Sequence, residues 1–170
     1  MHKRTLFLLL VLIMTFSHSC GYRFAGSGNL PEGVQRISVE IMKNNTAEIG
    51  LGNTFTNDLI YEFTRSGRTV YPNQESAEAV LSGTIRSIGI SSAVRSDSTS
   101  STERRVTITA DIKLTANDER VIWSAKGISQ NQTYIVEEDK QATEENKSDA
   151  IEYVSKRLAE DVIRSMSDDF

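Results

Sequence analysis

The sequence predicts an α+β fold, a two-layer sandwich of about four mainly antiparallel strands with two helices on one face. Three observations predict it. Apolar residues recur at near-helical spacing in two stretches, Leu51, Phe55, Leu59 and Phe63 in the first half and Ile151, Val154, Leu158, Val162 and Met166 at the end. Between them Val106, Ile108, Ala110, Ile112 and Leu114 alternate strictly with Arg105, Thr107, Thr109, Asp111 and Lys113, the period-two signature of a half-buried strand. Asn117-Asp118 then supplies a hairpin turn into a further strand. Each of these elements has a single apolar face, and laying both helices on the same face of an antiparallel meander buries all of them at once.

The chain opens with an address. His2, Lys3 and Arg4 form a positive n-region, and Leu6 to Met14 is a nine-residue apolar run, too short for a membrane span of about 20 residues. This pattern reads as a secretory signal peptide over residues 1–19. It ends at Ser19-Cys20-Gly21, where a small residue precedes the only cysteine, and the site looks like a bacterial lipoprotein cleavage site with Cys20 as the lipidated first residue. Ser17 and His18 depart from the aliphatic and small residues usual just before such a cysteine. Several acyl chains on Cys20 would anchor the protein stably where a single chain binds only marginally. Gly21, rather than Asp, after the cysteine points to outer-membrane delivery. Residues 20–33, with Gly26-Ser27-Gly28-Asn29, read as the lipidated N-terminus and tether, and residues 34–170 as one domain.

Within that domain Val34 to Ile41 carries Ile37, Val39 and Ile41 at period two and reads as a strand. Asn45 or Thr46, with Glu48 at capping-box spacing, predicts the start of the first helix, and Gly67 its end. Gly50 and Gly52 in the first turns each cost about 1 kcal/mol relative to Ala, so that end frays or packs closely against something. Thr69 to Pro72 reads as a short extended piece. Ala79 to Ile88 reads as a strand with Ala79, Leu81, Gly83 and Ile85 on one face. Residues 91–102 hold eight Ser or Thr and no apolar period, and read as a long loop. After the strand Arg105 to Leu114, the run Val121 to Gln130 places Val121, Trp123 and Ala125 on one face. A second polar stretch spans 130–141, and Thr143 is read as the cap of the last helix, with Glu144 and Glu145 at its positive dipole end. Trp123 and Tyr61 read as packing residues.

Composition excludes several functions. Lys plus Arg number 19 against 23 Asp plus Glu, a net charge of -4, so there is no overall basic footprint for nucleic acid. One cysteine excludes an internal disulfide and a cysteine zinc cluster, and the two histidines, His2 and His18, both lie in the leader. The phosphate-loop, nucleophile-elbow, zincin and dinucleotide motifs are all absent from the sequence. The reading is therefore of a protein that is not an enzyme and uses neither metal nor cofactor. Glu137, Glu138, Asp139, Glu144 and Glu145 lack the alternating ligands and turn glycine of a calcium loop and read as a solvated start to the last helix. The basic residues carry more. Arg95 lies in the Ser/Thr-rich loop, Arg104 and Arg105 where it re-enters the sheet, and Lys140 in the second polar stretch, with Arg86 and Lys126 on neighbouring strands. Guanidinium forks and ammonium groups suit phosphate, so Arg95, Arg104, Arg105 and Lys140 are candidate contacts to a phosphorylated glycolipid. Taken singly, each also reads as an ordinary surface charge that keeps a sheet edge soluble.

At these residues the chain resembles the lipopolysaccharide-assembly lipoprotein family, LptE. The resemblance starts in Cys20-Gly21-Tyr22-Arg23-Phe24 and continues through Ile37-Ser38-Val39, Asn44-Asn45-Thr46, the Leu51-to-Phe63 helix, Ala77 to Ile85 and the last helix from Ala150. It implies a role without catalysis. The family's members plug the lumen of the outer-membrane β-barrel translocon LptD, assist its assembly and bind lipopolysaccharide during insertion into the outer leaflet. Basic loop residues of the family are associated with that glycolipid, and Arg95 and Lys140 occupy comparable loops here. The implied location is the outer membrane, lipid-anchored, periplasm-facing and inside the barrel. The same features also suit a pilotin-like or adaptor lipoprotein serving another envelope machine, which co-purification would distinguish.

Overall fold

A computed structural model describes residues 30–93 and 102–168; the signal peptide, Cys20, the Cys-Gly-Tyr-Arg-Phe motif and Arg95 lie outside the described residues. The elements in chain order are β1 (Arg36–Val39), β2 (Lys43–Asn44), α1 (Leu51–Arg65), β3 (Thr69–Tyr71), β4 (Ala79–Ala93), β5 (Thr102–Ala116), β6 (Val121–Val136) and α2 (Lys140–Asp168), with 3-10 turns at Pro31–Gly33 and Gln74–Ser76. The fold is α+β with two helices on an open sheet, as the sequence predicts. The sheet itself differs: it has six strands and is mixed, in the order β3-β1-β4-β5-β6 with β2 also on β4. β1 runs parallel to β3 and β4, and β2 parallel to β4, while β4, β5 and β6 form the antiparallel meander. The parallel part arises because α1 acts as a crossover that sets β3 beside β1 in the same direction, and the connection through Gln74–Ser76 then crosses to the other side of β1 before β4 starts, again parallel. Strands of two to four residues leave too short a pattern to reveal such pairing.

One face of the meander is buried, by Val106, Ile108, Ala110, Ile112 and Leu114 of β5, Ala79, Leu81 and Ile85 of β4, and Trp123 and Tyr134 of β6. Against it lie Leu51, Phe55, Leu59 and Phe63 of α1 and Val154, Leu158, Ala159, Val162 and Met166 of α2. Leu30, the first described residue, is itself buried. Tyr61, read as a packing residue, is instead exposed on the outer side of α1, because it falls off the Leu51-Phe55-Leu59-Phe63 stripe.

Three bulges interrupt the alternation, and the first two keep the apolar side inward. Ile85 pairs with Ala110 but Ser87 with Thr109, so Arg86 is the extra residue and Ile88 returns to the core side opposite Ile108. Lys126 and Gly127 form a second, since Ala110 faces Ile128 and Ile112 faces Ala125. Gly127 adopts φ +68, and its N–H donates to Asp111 Oδ1 at 2.7 Å, a left-handed conformation that glycine takes without strain. The third lies at Ile122, and it turns Val121 outward to 52% exposure; the sequence had placed Val121 beside Trp123.

The first helix begins at Leu51, and the expected box at Asn45, Thr46 and Glu48 does not cap it. Asn44 Oδ1 instead accepts from the Thr46 N–H and hydroxyl, and Asn44 Nδ2 donates to the Glu48 carbonyl, so the segment closes as a local turn. Gly50 at φ +84 is the N-cap and offers no side chain. Gly52 packs closely, as one of the two sequence readings had it: a Cβ there would stand 2.6 Å from the Met42 carbonyl oxygen. Gly67 does close the helix, with Arg68 N–H bonded to Phe63 O and Gly67 N–H to Thr64 O, a Schellman motif. β1 ends at Val39, leaving Ile41 at 71% exposure and Met42 buried in its place. Met42 N–H donates to the buried Thr56 hydroxyl, which itself donates to Gly52 O.

Candidate functional site

Of the candidate basic residues, Arg104, Arg105 and Lys140 belong to one end of the described structure, where β4 finishes at Ala93, β5 starts at Thr102 and β6 finishes at Val136. Part of each polar stretch that the sequence reads as loop is strand. Ser91 to Ala93 continue β4 opposite Glu103 to Arg105, and Gln130 to Val136 continue β6 as far as the Thr102 pair. Ser, Thr and Asn can extend a strand without an apolar face when a neighbouring strand already satisfies their backbone groups. What remains is the segment 94–101, outside the described residues and carrying Arg95, and the turn at 137–139.

Arg104 and Arg105 are exposed neighbours on β5, so their side chains leave opposite faces of the sheet. Arg104 pairs with Ser92 and Tyr134 on the helix-bearing side; Arg105 pairs with Ser91 and Thr133 on the uncovered side. The fold brings the two to one end but not onto one surface. Lys140 does not sit in a loop: it is the first residue of α2. Thr143 is inside the first turn rather than at the cap. Asp139 Oδ1 accepts the Gln141 N–H at 3.0 Å, while Thr143 Oγ1 accepts from Glu137 N–H at 2.9 Å. Lys140 is exposed, with Glu137, Glu138, Asp139, Glu144 and Glu145 also exposed around it in sequence. Arg86 is ion-paired to Asp111 at 3.4 Å, and Lys126 lies exposed in its bulge.

Among the described residues no element covers the other face of the meander, which carries Ser87, Ser91, Thr107, Thr109, Ser129 and Asn131 in register across three strands. Its middle is a surface of hydroxyl and amide groups, flanked along β5 by Glu103 and Arg105 towards one end and by Asp111 and Lys113 towards the other. The alternation in β5 points to its polar positions; Ser87 and Ser129 fall in stretches read as strands, and only Ser91 and Asn131 lie in the polar stretches that hid the continuation of β4 and β6. At the opposite end of the sheet lie structural ion pairs. Glu78 Oε2 accepts from the Gln35 and Arg36 N–H groups at 2.8 and 3.1 Å, which holds its carboxyl below the ordinary value. Arg120 forks onto Glu32 and lowers that carboxyl in the same way. Among the described residues no group of three His, Cys, Asp or Glu side chains is placed to hold a metal ion, and no helix is long and apolar enough to cross a membrane.

The family model described as LptE, lipopolysaccharide-assembly, matches residues 34–166, nearly the whole described domain. The chain belongs to the LptE family. Membership supports a role in lipopolysaccharide transport and an envelope location. No curated protein matches the chain. Among solved structures, a minor lipoprotein from Acinetobacter baumannii is similar at TM-score 0.55 and 12% identity, covering 80% of this chain and 92% of that one. A rare lipoprotein B from Shewanella oneidensis gives TM-score 0.53 at 9% identity, covering 79% and 95%. A lipoprotein B from Nitrosomonas europaea gives 0.52 at 15%, covering 88% and 90%. At these identities the likeness is one of fold, and it extends over most of each chain.

Proposed function

We propose that this LptE-family chain is an outer-membrane lipoprotein, anchored through acylated Cys20, that sits in the lumen of the lipopolysaccharide-export β-barrel LptD. There it assists assembly of the barrel and helps insert lipopolysaccharide into the outer leaflet, without catalysing a reaction. The observation that carries the reading is the uncovered sheet face. An exposed antiparallel face of Ser, Thr and Asn side chains in register suits the polar interior of a large barrel, whose lumen needs no greasy plug. Arg95, Arg104, Arg105 and Lys140 are the residues proposed to meet the phosphorylated headgroup, with the arginines supplying the fork geometry that phosphate favours.

The test is a mild-detergent pull-down of the tagged, lipidated protein from its native membrane. A stoichiometric large outer-membrane barrel among the recovered partners supports the proposal. Recovery of a secretin, or of no membrane partner, contradicts it and favours an adaptor role. Palmitate label that persists after Cys20→Ala would remove the anchor from the account.

A further inference from the structure

We propose that the outer edge of β6, with the cleft between it and α2, docks an extended basic polypeptide segment, which joins the sheet as one more strand. This inference is independent of the barrel reading. β6 is the last strand in the sheet order, so among the described residues its outer side pairs with no strand. An edge of this kind presents a row of backbone donors and acceptors, and strand addition is the recurring way in which an extended segment uses them. Asn146 Nδ2 of α2 donates to the Ile135 carbonyl at 3.1 Å, so this stretch of edge already accepts a hydrogen bond from outside the β-ladder. Backbone groups two residues apart point the same way along a strand, which places the Thr133 N–H and C=O on the same side.

A cleft of about 410 Å³ lies beside this edge, lined among others by Thr133, Ile135, Glu137, Asn146, Asp149 and Tyr153. Ile135 is 44% exposed and Tyr153 50%, which offers apolar contact to alternate side chains of an incoming strand. Charge selects the occupant. The lining carries the carboxylates of Glu137 and Asp149 and no Lys, Arg or His. Along residues 137–149 six acidic residues face only Lys140 and Lys147, and Lys147 is held by Glu48 and Glu144 at 3.4 and 3.5 Å. A strand whose alternate residues are Lys or Arg is matched to the two lining carboxylates.

The test uses the full lipidated chain in a neutral detergent and two labelled ten-residue peptides, one alternating Lys and Val, the other Glu and Val. The Lys peptide is expected to bind at least about tenfold more tightly than the Glu peptide, and to slow amide exchange at Thr133 and Ile135. Thr133→Pro removes one edge donor while sparing the β5 ladder, a position at which strands tolerate proline. It is expected to weaken Lys-peptide binding about tenfold with the unfolding temperature little changed. Joint Glu137→Lys and Asp149→Lys, both at exposed positions, is expected to invert the peptide preference, and it decides the matter if the proline variant does not fold. Equal binding of both peptides, exchange protection away from 133–135, or an unchanged preference in the double variant overturns the proposal.

Discussion

Ser155 on α2 donates a 2.5 Å hydrogen bond to Asp58 Oδ2 on α1, joining the two helices above the sheet. Ser155 is buried, and Asp58 is half-buried beside it. Burial pushes the Asp58 carboxyl above its ordinary value, the Ser155 bond and Lys156 work against that, and Glu152 and Glu62 add to it.

The sign of the resulting pH dependence follows. A carboxyl whose folded value is raised binds its proton more tightly in the folded chain, so its contribution to stability falls as pH rises through the raised value. Near neutral pH ionised Asp58 therefore detracts from stability. Asp58→Asn keeps an acceptor for Ser155 and removes the charge. The expected outcome is a higher unfolding temperature than wild type near neutral pH and a gap that closes in acid, measured by thermal unfolding across pH. A gap independent of pH would show that the charge is not responsible.

Gly83 lies on the core side of β4 with no room for a methyl group. A Cβ there would be 2.5 Å from Ile112 Cδ1, 2.6 Å from the Asp111 carbonyl oxygen and 3.0 Å from Met42 Sδ. Gly83→Ala is expected to cost about 1–3 kcal/mol through overpacking, measured by denaturant unfolding. Because one obstacle is backbone, adding Ile112→Val is expected to recover only part of the loss; full recovery would locate the conflict in the side chain alone.

The sequence shows its packing plan most clearly where one element alternates without interruption. Val106 to Leu114 and the stripe from Ile151 to Met166 are legible because each has one buried and one wet side. The bulges at Arg86, Gly127 and Ile122 are not, since an extra residue shifts the period and looks like its end. Gln130 and Gln132 hide the upper part of β6 in a different way, being half-buried polar residues on the helix-facing side, where Gln130 Nε2 donates to Asp161 of α2. The parallel neighbours of β1 depend on where α1 returns the chain, which no local pattern records. For the basic residues, the Arg104-Arg105 dipeptide looks like a cluster in one dimension, and strand geometry sends its members to opposite faces.

That separation gives a prediction about glycolipid binding. Joint replacement of Arg95, Arg104 and Arg105 by Ser is expected to weaken association with vesicles carrying lipopolysaccharide, and the wild-type interaction is expected to fade with added salt. Arg104→Ser and Arg105→Ser are expected to differ singly, because a bound headgroup at one face meets only one of them. Equal single effects, or an unaffected triple variant, would contradict the assignment.

The central claim is that the uncovered sheet face lies against a barrel wall. Asn131 is exposed on that face, in register with Thr107. The most direct measurement places a photo-crosslinking residue at position 131 in the lipidated chain, irradiates intact cells and identifies the adduct by mass. The account predicts a single dominant crosslink to a large outer-membrane β-barrel. A crosslink to a secretin or a soluble periplasmic protein, or none from a chain that is present and anchored, would contradict it.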